Sequence, residues 1–547
     1  MANLVDRAIS VFSPNTALAR AEARQQLERL ATKRPQLDRA RREALDRLVT
    51  IARGFEGAKQ DRLTTAWQPG SQSIDSQILT DGRVLRERAR DLVQNNGFGK
   101  GAMNAIIANC VGTGIKPMPK LTDRRQRKLW RDAWRHWAEK EADITGHQHF
   151  YEMQALALKE CVAGGEVLLR YIWLSPQEMS RRGRRTPFAL QLIEAERIAD
   201  SEQFYGVPTN GENGHQIRNG VEVDSYGSPV AYWLLPTHPN DITTGYQKPE
   251  RHAASMFRHV FVRERIGQYR GVTWLAAAIQ WLYKLGVYTD NEMMSSALSA
   301  CVMLLVKTLD GNSDGNDFGV LTDGDSTDSA GNKLDHMAPG LVHHLAVGED
   351  IESFNPGRPN AQSEPWITLI LRSIGVAMDL GYEAISRDHS KTNFSGQRGE
   401  ELENRRRYRQ VNAFTKWRYL APVYEHWVRA NVLVGTDGFP SADEFTANMD
   451  AYQEAEWIGD GREWIDPVKE QQANQGAVDA NQTTLSAVVA ESGGDWTDVL
   501  EQRAAELTYI RELEQQYGID FTPDSALVNQ GAQAAAEQTK GAAQDGD

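Results

Sequence analysis

A chain of 547 residues, 40% of them hydrophobic, is too long for one core, because single cores stop growing at roughly 250–300 residues. Its formal net charge of −13 argues against a tight grip on duplex DNA, which rests on basic patches that neutralise phosphates, but leaves open a wall that DNA slides past. Cys110, Cys161 and Cys301 are odd in number and far apart, which excludes a disulfide framework or a C-x-x-C zinc site and fits reduced, buried thiols of a cytoplasmic chain.

Residues 1–65 are basic and helical in pattern, with Leu27, Leu30, Leu37, Leu45 and Leu48 set among arginines. The arm reads as a solvated, partner-seeking helical segment, with DNA contact as the alternative. It contains no long apolar stretch of the signal-peptide kind, and nowhere do about 18 apolar residues follow one another, so no membrane span is expected. TAWQPGSQSIDSQI reads as a polar linker. From Asp81 to Val111 two helices are expected, broken at Asn95, Asn96 and Gly97. Thr122–Ala142 is a further helix whose Trp130, Trp134 and Trp137 share one face, a stripe that suits a core or subunit interface better than base stacking.

A helix over His149–Val162 gives way to strand-like EVLLRYIWL and FALQLIEAERIAD. NGVEVDSYGSPVAYWLLP reads as a hairpin turning at Tyr226–Pro229, and SMFRHVFV as another strand. A long helix is expected from Val272 to about Ala300, running into strand-like residues. Residues 310–336 form a polar, acidic, glycine-rich loop, and LVHHLAVGEDIESF resumes strand character. Helices follow over Pro365–Leu380 and Glu400–Val434. Pro422 lacks an N–H and clashes with the carbonyl four residues back, so a kink is expected near Arg418, and Gly435 supplies the stop. The region 450–520 is helical and charged with breaks near Gly459–Gly461 and Gly493–Gly494, and 523–547 reads as a disordered tail.

The chain offers little chemistry. The segment around Gly99 and Lys100 fails the phosphate-loop pattern at both ends, and Gly112 and Gly114 lack the third glycine of a dinucleotide fingerprint. Asp310, Asn312, Asp314 and Gly315 fit a calcium loop until its last position, where Leu321 replaces the glutamate. His343 and His344 are adjacent in a strand and so point to opposite faces, while His147 and His149 alternate in a loop. Glu194 and Glu196 can share a strand face but have no evident catalytic partner. No catalytic residue, metal or cofactor is therefore expected, and a structural role is favoured.

Several segments, in their order, resemble the lambda-type tailed-bacteriophage portal protein family. They are RARDLVQNNGFGKGAMNAIIANCVGTGIKP (88–117), FYEMQALALKECVAGGEVLLRYIW (150–173), LIEAERIAD (192–200), RGVTWLAAAIQWL (270–282), LGYEAISRDHSKTNFSGQRGEELENRRRY (380–408) and EWIGDGREWIDPVKE (456–470). The resemblance implies an α+β, predominantly helical portal fold of wing, stem, clip and crown. Projected onto this chain it gives an N-terminal arm over 1–65, wing over 66–148, stem helix over 149–167, strand-rich clip over 168–265 and second stem helix over 266–302. Wing resumes over 303–382 and is followed by a tunnel loop over 383–397, a long kinked helix over 398–435, the crown over 436–522 and the tail. The resemblance further implies a homo-oligomeric ring, usually of twelve, at one capsid vertex of the virion, assembled in the host cytoplasm. Its expected partners are double-stranded DNA passing without sequence readout, the terminase large subunit, head–tail connector proteins, and the major capsid and scaffold proteins. In the tunnel loop, Arg387 and Lys391 are expected to touch phosphates and Asp388 to limit the grip, with His389, Ser390, Thr392 and Asn393 completing the channel-facing set. Two rival readings are a metal-dependent nucleic-acid enzyme built on Asp314 and Asp323 of the acidic loop, and a monomeric head–tail adaptor.

Overall fold

The computed structural model describes residues 71–200, 214–242, 247–300, 363–390, 393–461 and 467–519, with short stretches elsewhere, including 304–307 and 342–345. The arm over 1–65, apart from isolated positions, the acidic loop with its calcium-like Asp310–Leu321 run, Cys301 and the tail over 523–547 lie outside the described residues. Met1–Gln72 and Ser73–Asp547 are separate units, and the sheets and the main core lie in the second.

Helix α1 (Ile74–Asn95) starts where Ser73 accepts a hydrogen bond from the Ser76 N–H at 3.2 Å, so the expected linker ends a turn earlier than its composition suggests. Asn96 closes α1 and opens α2 (Gly97–Cys110), its Oδ1 accepting from the N–H groups of Phe98 and Gly99. Strand β1 (Lys116–Pro119) precedes α3 (Arg124–Lys140), which Asp123 caps. Helix α4 (Phe150–Ala163) begins with a capping box in which His149 Nδ1 accepts from the Glu152 N–H and the Glu152 carboxylate accepts from the His149 N–H.

Strand β2 (Glu166–Trp173) is followed by a short helix that sequence reading passed over, α5 (Pro176–Arg182), and then by β3 (Phe188–Glu194). β4 (Gln216–Arg218), β5 (Val221–Val223), β6 (Pro229–Leu234) and β7 (Glu250–Ala253) form an antiparallel four-stranded meander. β8 (Phe257–Phe261) returns to β2, giving a three-stranded sheet in the order β3-β2-β8. Because strand side chains alternate, Val167, Leu169 and Tyr171 enter the main core. Leu168 enters a smaller core with Ile193, Val221, Tyr232, Leu234 and Phe257 between the two sheets. The strand-rich region over 168–265 is thus divided, with β2, β3 and β8 belonging to the main body.

Helix α6 (Ile279–Ala300) starts seven residues later than the periodicity suggests. Val162, at the end of α4, holds the residues before it in turns, its carbonyl accepting from Thr273 Oγ1 at 2.9 Å and the Trp274 N–H at 3.1 Å. β9 (Leu304–Lys307) and β10 (Val342–Leu345) pair in parallel, so His343 and His344 do occupy a strand. Helix α7 (Ser363–Met378), a short α8 (Tyr382–Ser386) and α9 (Phe394–Thr415) follow. The polar segment 383–397 is therefore mostly helical, and only 387–393 connects.

At the position where Pro422 disturbs helical hydrogen bonding, the chain widens into a π-turn, Lys416–Leu420, before α10 (Ala421–Val434) and Gly435 at φ 71°. Arg258 of β8 donates from Nε to the Arg418 carbonyl at 2.9 Å, the group that proline leaves without its usual donor. Beyond it lie α11 (Ala442–Ala447), α12 (Met449–Gln453), β11 (Ala455–Ile458), α13 (Pro467–Asp479), α14 (Leu485–Glu491) and α15 (Trp496–Tyr517). β11 pairs antiparallel with β1, so this part of the expected crown is tied to the N-terminal helices. The tryptophan stripe of α3 lies in the core: Trp130 stacks on Phe439 at 4.2 Å, and Trp134 meets Trp427 edge-on at 5.1 Å.

Candidate functional site

The connector 387–393 hangs from α8, and α9 builds α8 by capping it. Glu400 and Asn404 lie one turn apart on α9. Glu400 Oε1 accepts from the Glu383 N–H at 2.7 Å and Asn404 Oδ1 from the Gly381 N–H at 2.8 Å, satisfying N–H groups that a five-residue helix cannot pair internally. A Cβ at Gly381 would lie 2.1 Å from Glu400 Oε1, so a larger residue there would push the Glu400 carboxylate off its cap.

Arg387 ends α8 in the left-handed conformation (φ 55°), with its N–H bonded to the Glu383 carbonyl at 2.8 Å. Its side chain is exposed and forms no ion pair among the described residues. Asp388 is engaged within the connector: it accepts from Tyr382 Oη at 3.2 Å, the Ser390 N–H at 3.0 Å and Ser390 Oγ at 2.6 Å. His389 Nδ1 lies 3.1 Å from Oε2 of buried Glu383, whose Oε1 has no hydrogen-bond partner among the described residues. Asn393 caps α9 by accepting from the Gly396 N–H at 2.8 Å. Lys391 and Thr392 lie outside the described residues.

Beside the connector runs a polar cleft of about 490 Å³, lined by Asn104 and Asn109 of α2, by Glu383, Arg387 and His389, and by Arg398 and Glu401 of α9. The described residues of the connector are thus polar and present the exposed guanidinium of Arg387, a group able to meet a polyanion without reading it. The left-handed backbone at Arg387 gives a test. Arg387→Gly is expected to raise unfolding stability by roughly 0.5–1 kcal/mol, as glycine removes the Cβ strain, in denaturant titration of the full chain. Arg387→Ala keeps the strain while removing the charge, and should show no gain.

A second polar centre was not foreseen. Fully buried Glu166, at the start of β2, accepts through Oε1 from Arg270 at 2.6 Å and Arg86 at 3.3 Å. Through Oε2 it bonds His259 Nε2 at 2.9 Å and the Gly271 N–H at 2.6 Å. Arg270 also donates to the carbonyls of Asn219 and Ala195, and Arg86 to that of Gly164. The backbones meet beside it, where a Cβ on Gly271 would lie 2.2 Å from the Gly165 oxygen. Burial alone would raise the Glu166 pKa, but Arg270, then His259 and Arg86, more than offset it and hold the carboxyl well below the usual range.

Glu194, Glu196 and His238 approach one another closely enough to share an ion. Arg90, however, already occupies Glu196 at 2.8 Å and links it to Glu160 at 2.8 Å, a structural role for Glu196, while Glu194 lies 3.9 Å from His238. His149 caps α4, the His147 N–H donates to Asp143, and buried Cys161 has its thiol pushed up by burial, away from reactivity. Among the described residues no helix is long and apolar enough to cross a membrane.

Fold and polar centres together define an α+β protein whose buried charges join its elements. The comparisons agree: residues 60–412 match the model of the phage portal proteins of the lambda family, and the chain belongs to that family. It is a family of structural proteins of the phage capsid rather than of enzymes, which sets aside the nucleic-acid enzyme built on Asp314 and Asp323. The chain is similar to a probable portal protein of Halomonas phage phiHAP-1, with 26% identity over 85% of this chain and 88% of the relative. It is also similar to portal protein B of Escherichia phage lambda, with 21% identity over 81% and 86%. Similar solved chains come from the neck of a native gene transfer agent particle with C12 symmetry (12% identity, 75% of this chain and 93% of that one, TM-score 0.36) and from the virion of that agent (13%, 71% and 97%, TM-score 0.34).

Proposed function

We propose that this chain is one subunit of a ring of about twelve copies at one capsid vertex, through which double-stranded DNA enters and leaves the head. Membership of the lambda portal family over 60–412 carries this reading. The ring nucleates head assembly with the major capsid and scaffold proteins, docks the terminase large subunit, which supplies ATP hydrolysis, and later accepts head–tail connector proteins. The connector 387–393 is the channel-facing loop, with Arg387 and Lys391 on phosphates and Asp388 holding the loop's shape. The four-stranded sheet β4–β7, set apart by its own core, is the clip. Helix α6, with exposed Trp281, Tyr283, Met293 and Met294, is the stem helix toward the neighbouring copy. A subunit with a formal net charge of −13 suits passage over capture.

Electron microscopy of the purified full-length chain tests this: rings with a central hole are expected, and ATP hydrolysis only once terminase is added. A chain that stays single at every concentration, or that hydrolyses ATP alone, overturns it. Arg387→Ala is expected to leave rings intact and lower the DNA retained in filled heads.

A further inference from the structure

Helix α15 (Trp496–Tyr517) has 22 residues and buries none of them within the subunit. It lies beyond the residues that the family model matches. Its sequence nevertheless repeats every seven residues. Trp496, Arg503, Ile510 and Tyr517 fall on one position of the repeat, and Leu500, Leu507 and Glu514 on a second, alternately four and three residues apart. Five of these seven are apolar, and Val499 and Leu513 widen the stripe along one flank. Val499, Leu500, Leu507 and Tyr517 remain 49%, 47%, 37% and 63% exposed. A seven-residue repeat keeps one seam turned toward a neighbouring helix, and an added apolar flank suits a bundle of several helices.

The helix is moored by its other side. Asp495 and Asp498 pair with Arg131 of α3, and Glu501 accepts from Arg124 Nε at 2.7 Å. At about 100° per residue, Asp498 and Glu501 lie roughly opposite the apolar stripe. The attachment to α3 therefore leaves the stripe turned away from it.

We infer that the stripe is covered by the same helix of neighbouring copies, packed side by side and parallel. The inference rests on the proposed ring. Charge on the seam's edges selects this occupant. Glu506 precedes Leu507 on one edge and Arg511 follows Ile510 on the other, five residues later. In parallel helices packed on such a seam these two positions face each other between copies, so Glu506 of one copy meets Arg511 of the next. Antiparallel packing instead sets like edges together, and rotation about a ring axis keeps all copies parallel. Arg503 and Glu514, polar positions within the seam, fix its register.

Mass photometry of the full-length chain, with circular dichroism as the folding control, tests this. L507D/I510D is expected to keep the wild-type spectrum, because Leu507 is exposed and Ile510 only half-buried in the subunit, and to raise the concentration for half-assembly by about tenfold or more. R511E should raise it by about threefold, and E506R/R511E should return it to within about twofold of wild type. As a second measurement, mild oxidation of E506C/R511C should give cross-linked species larger than dimers that neither single-cysteine variant gives. Wild-type rings with unchanged assembly in L507D/I510D, or no species above dimer from the double-cysteine variant, overturn the inference and leave the ring reading standing. A wild-type chain that never assembles removes the ring reading, and this inference with it.

Discussion

Glu166→Ala is expected to destabilise the chain by about 3–5 kcal/mol, because it leaves two buried guanidiniums without their counter-charge. The carboxylate is fully buried and takes four donors from three separate places: Arg86 of α1, His259 of β8, and the adjacent Arg270 side chain and Gly271 N–H. Arg270 then reaches the carbonyls of Ala195 and Asn219, so one side chain holds α1, the three-stranded sheet and the meander in register. Glu166→Gln keeps the shape and removes the charge. It should lose most of the same stability, whereas a purely packing role predicts near-wild-type behaviour. The pH dependence has a fixed sign. The folded carboxyl titrates below its ordinary value of 4.5, so its contribution is complete above that pH and is lost as the pH falls through the folded value. Denaturant midpoints followed by tryptophan fluorescence should fall more steeply below about pH 4.5 in wild type than in Glu166→Gln. Equal slopes would show that the carboxylate is not held by its cations.

What the sequence disclosed and what it hid divide along contact range. The aromatic spacing of α3, the short apolar and aromatic run of β2, and Pro422 followed by Gly435 are local patterns. Each constrains a backbone of known period, so each could be read directly. The junction of Glu166 with Arg270 spans 104 residues, and the pairing of β1 with β11 joins residues more than 330 apart. No periodicity encodes such distances. Helix α8 was hidden for a related reason: its caps come from Glu400 and Asn404 on another helix, so its own polar sequence reads as loop. The residues after Val272 carry a helical pattern but are held in turns by the Val162 carbonyl, a tertiary contact overriding propensity. Helix α5 was legible and overlooked. Ser175 and Glu178 form a capping box, Pro176 stands in the first turn, and Gly183 ends the helix at φ 63°. At the connector, the residue types announced a polar loop. They could not show that Asp388 is consumed by Tyr382 and Ser390 while Arg387 stays unengaged.

Trp137→Ala is expected to cost about 3–5 kcal/mol, and Trp417→Ala no more than about 0.5 kcal/mol. The two tryptophans separate the roles an aromatic side chain can take here. Trp137 is fully buried, lies 5.8 Å from the Phe188 ring in near-parallel stacking and 5.3 Å from that of Phe150, and donates from Nε1 to the Phe188 carbonyl at 2.9 Å. Its removal opens a cavity between α3 and the sheet and leaves a buried carbonyl without its donor, so the transfer, cavity and desolvation effects act together. Trp137→Phe restores part of the volume but not the N–H, and should fall between wild type and alanine. Trp417, on the π-turn, is 71% exposed, so its ring has little packing to lose. Denaturation of the three variants by fluorescence and circular dichroism would order them. If Trp137→Ala unfolded no more readily than Trp417→Ala, the α3 stripe would not be a core. A surface for stacking bases would then regain its standing against the proposed role.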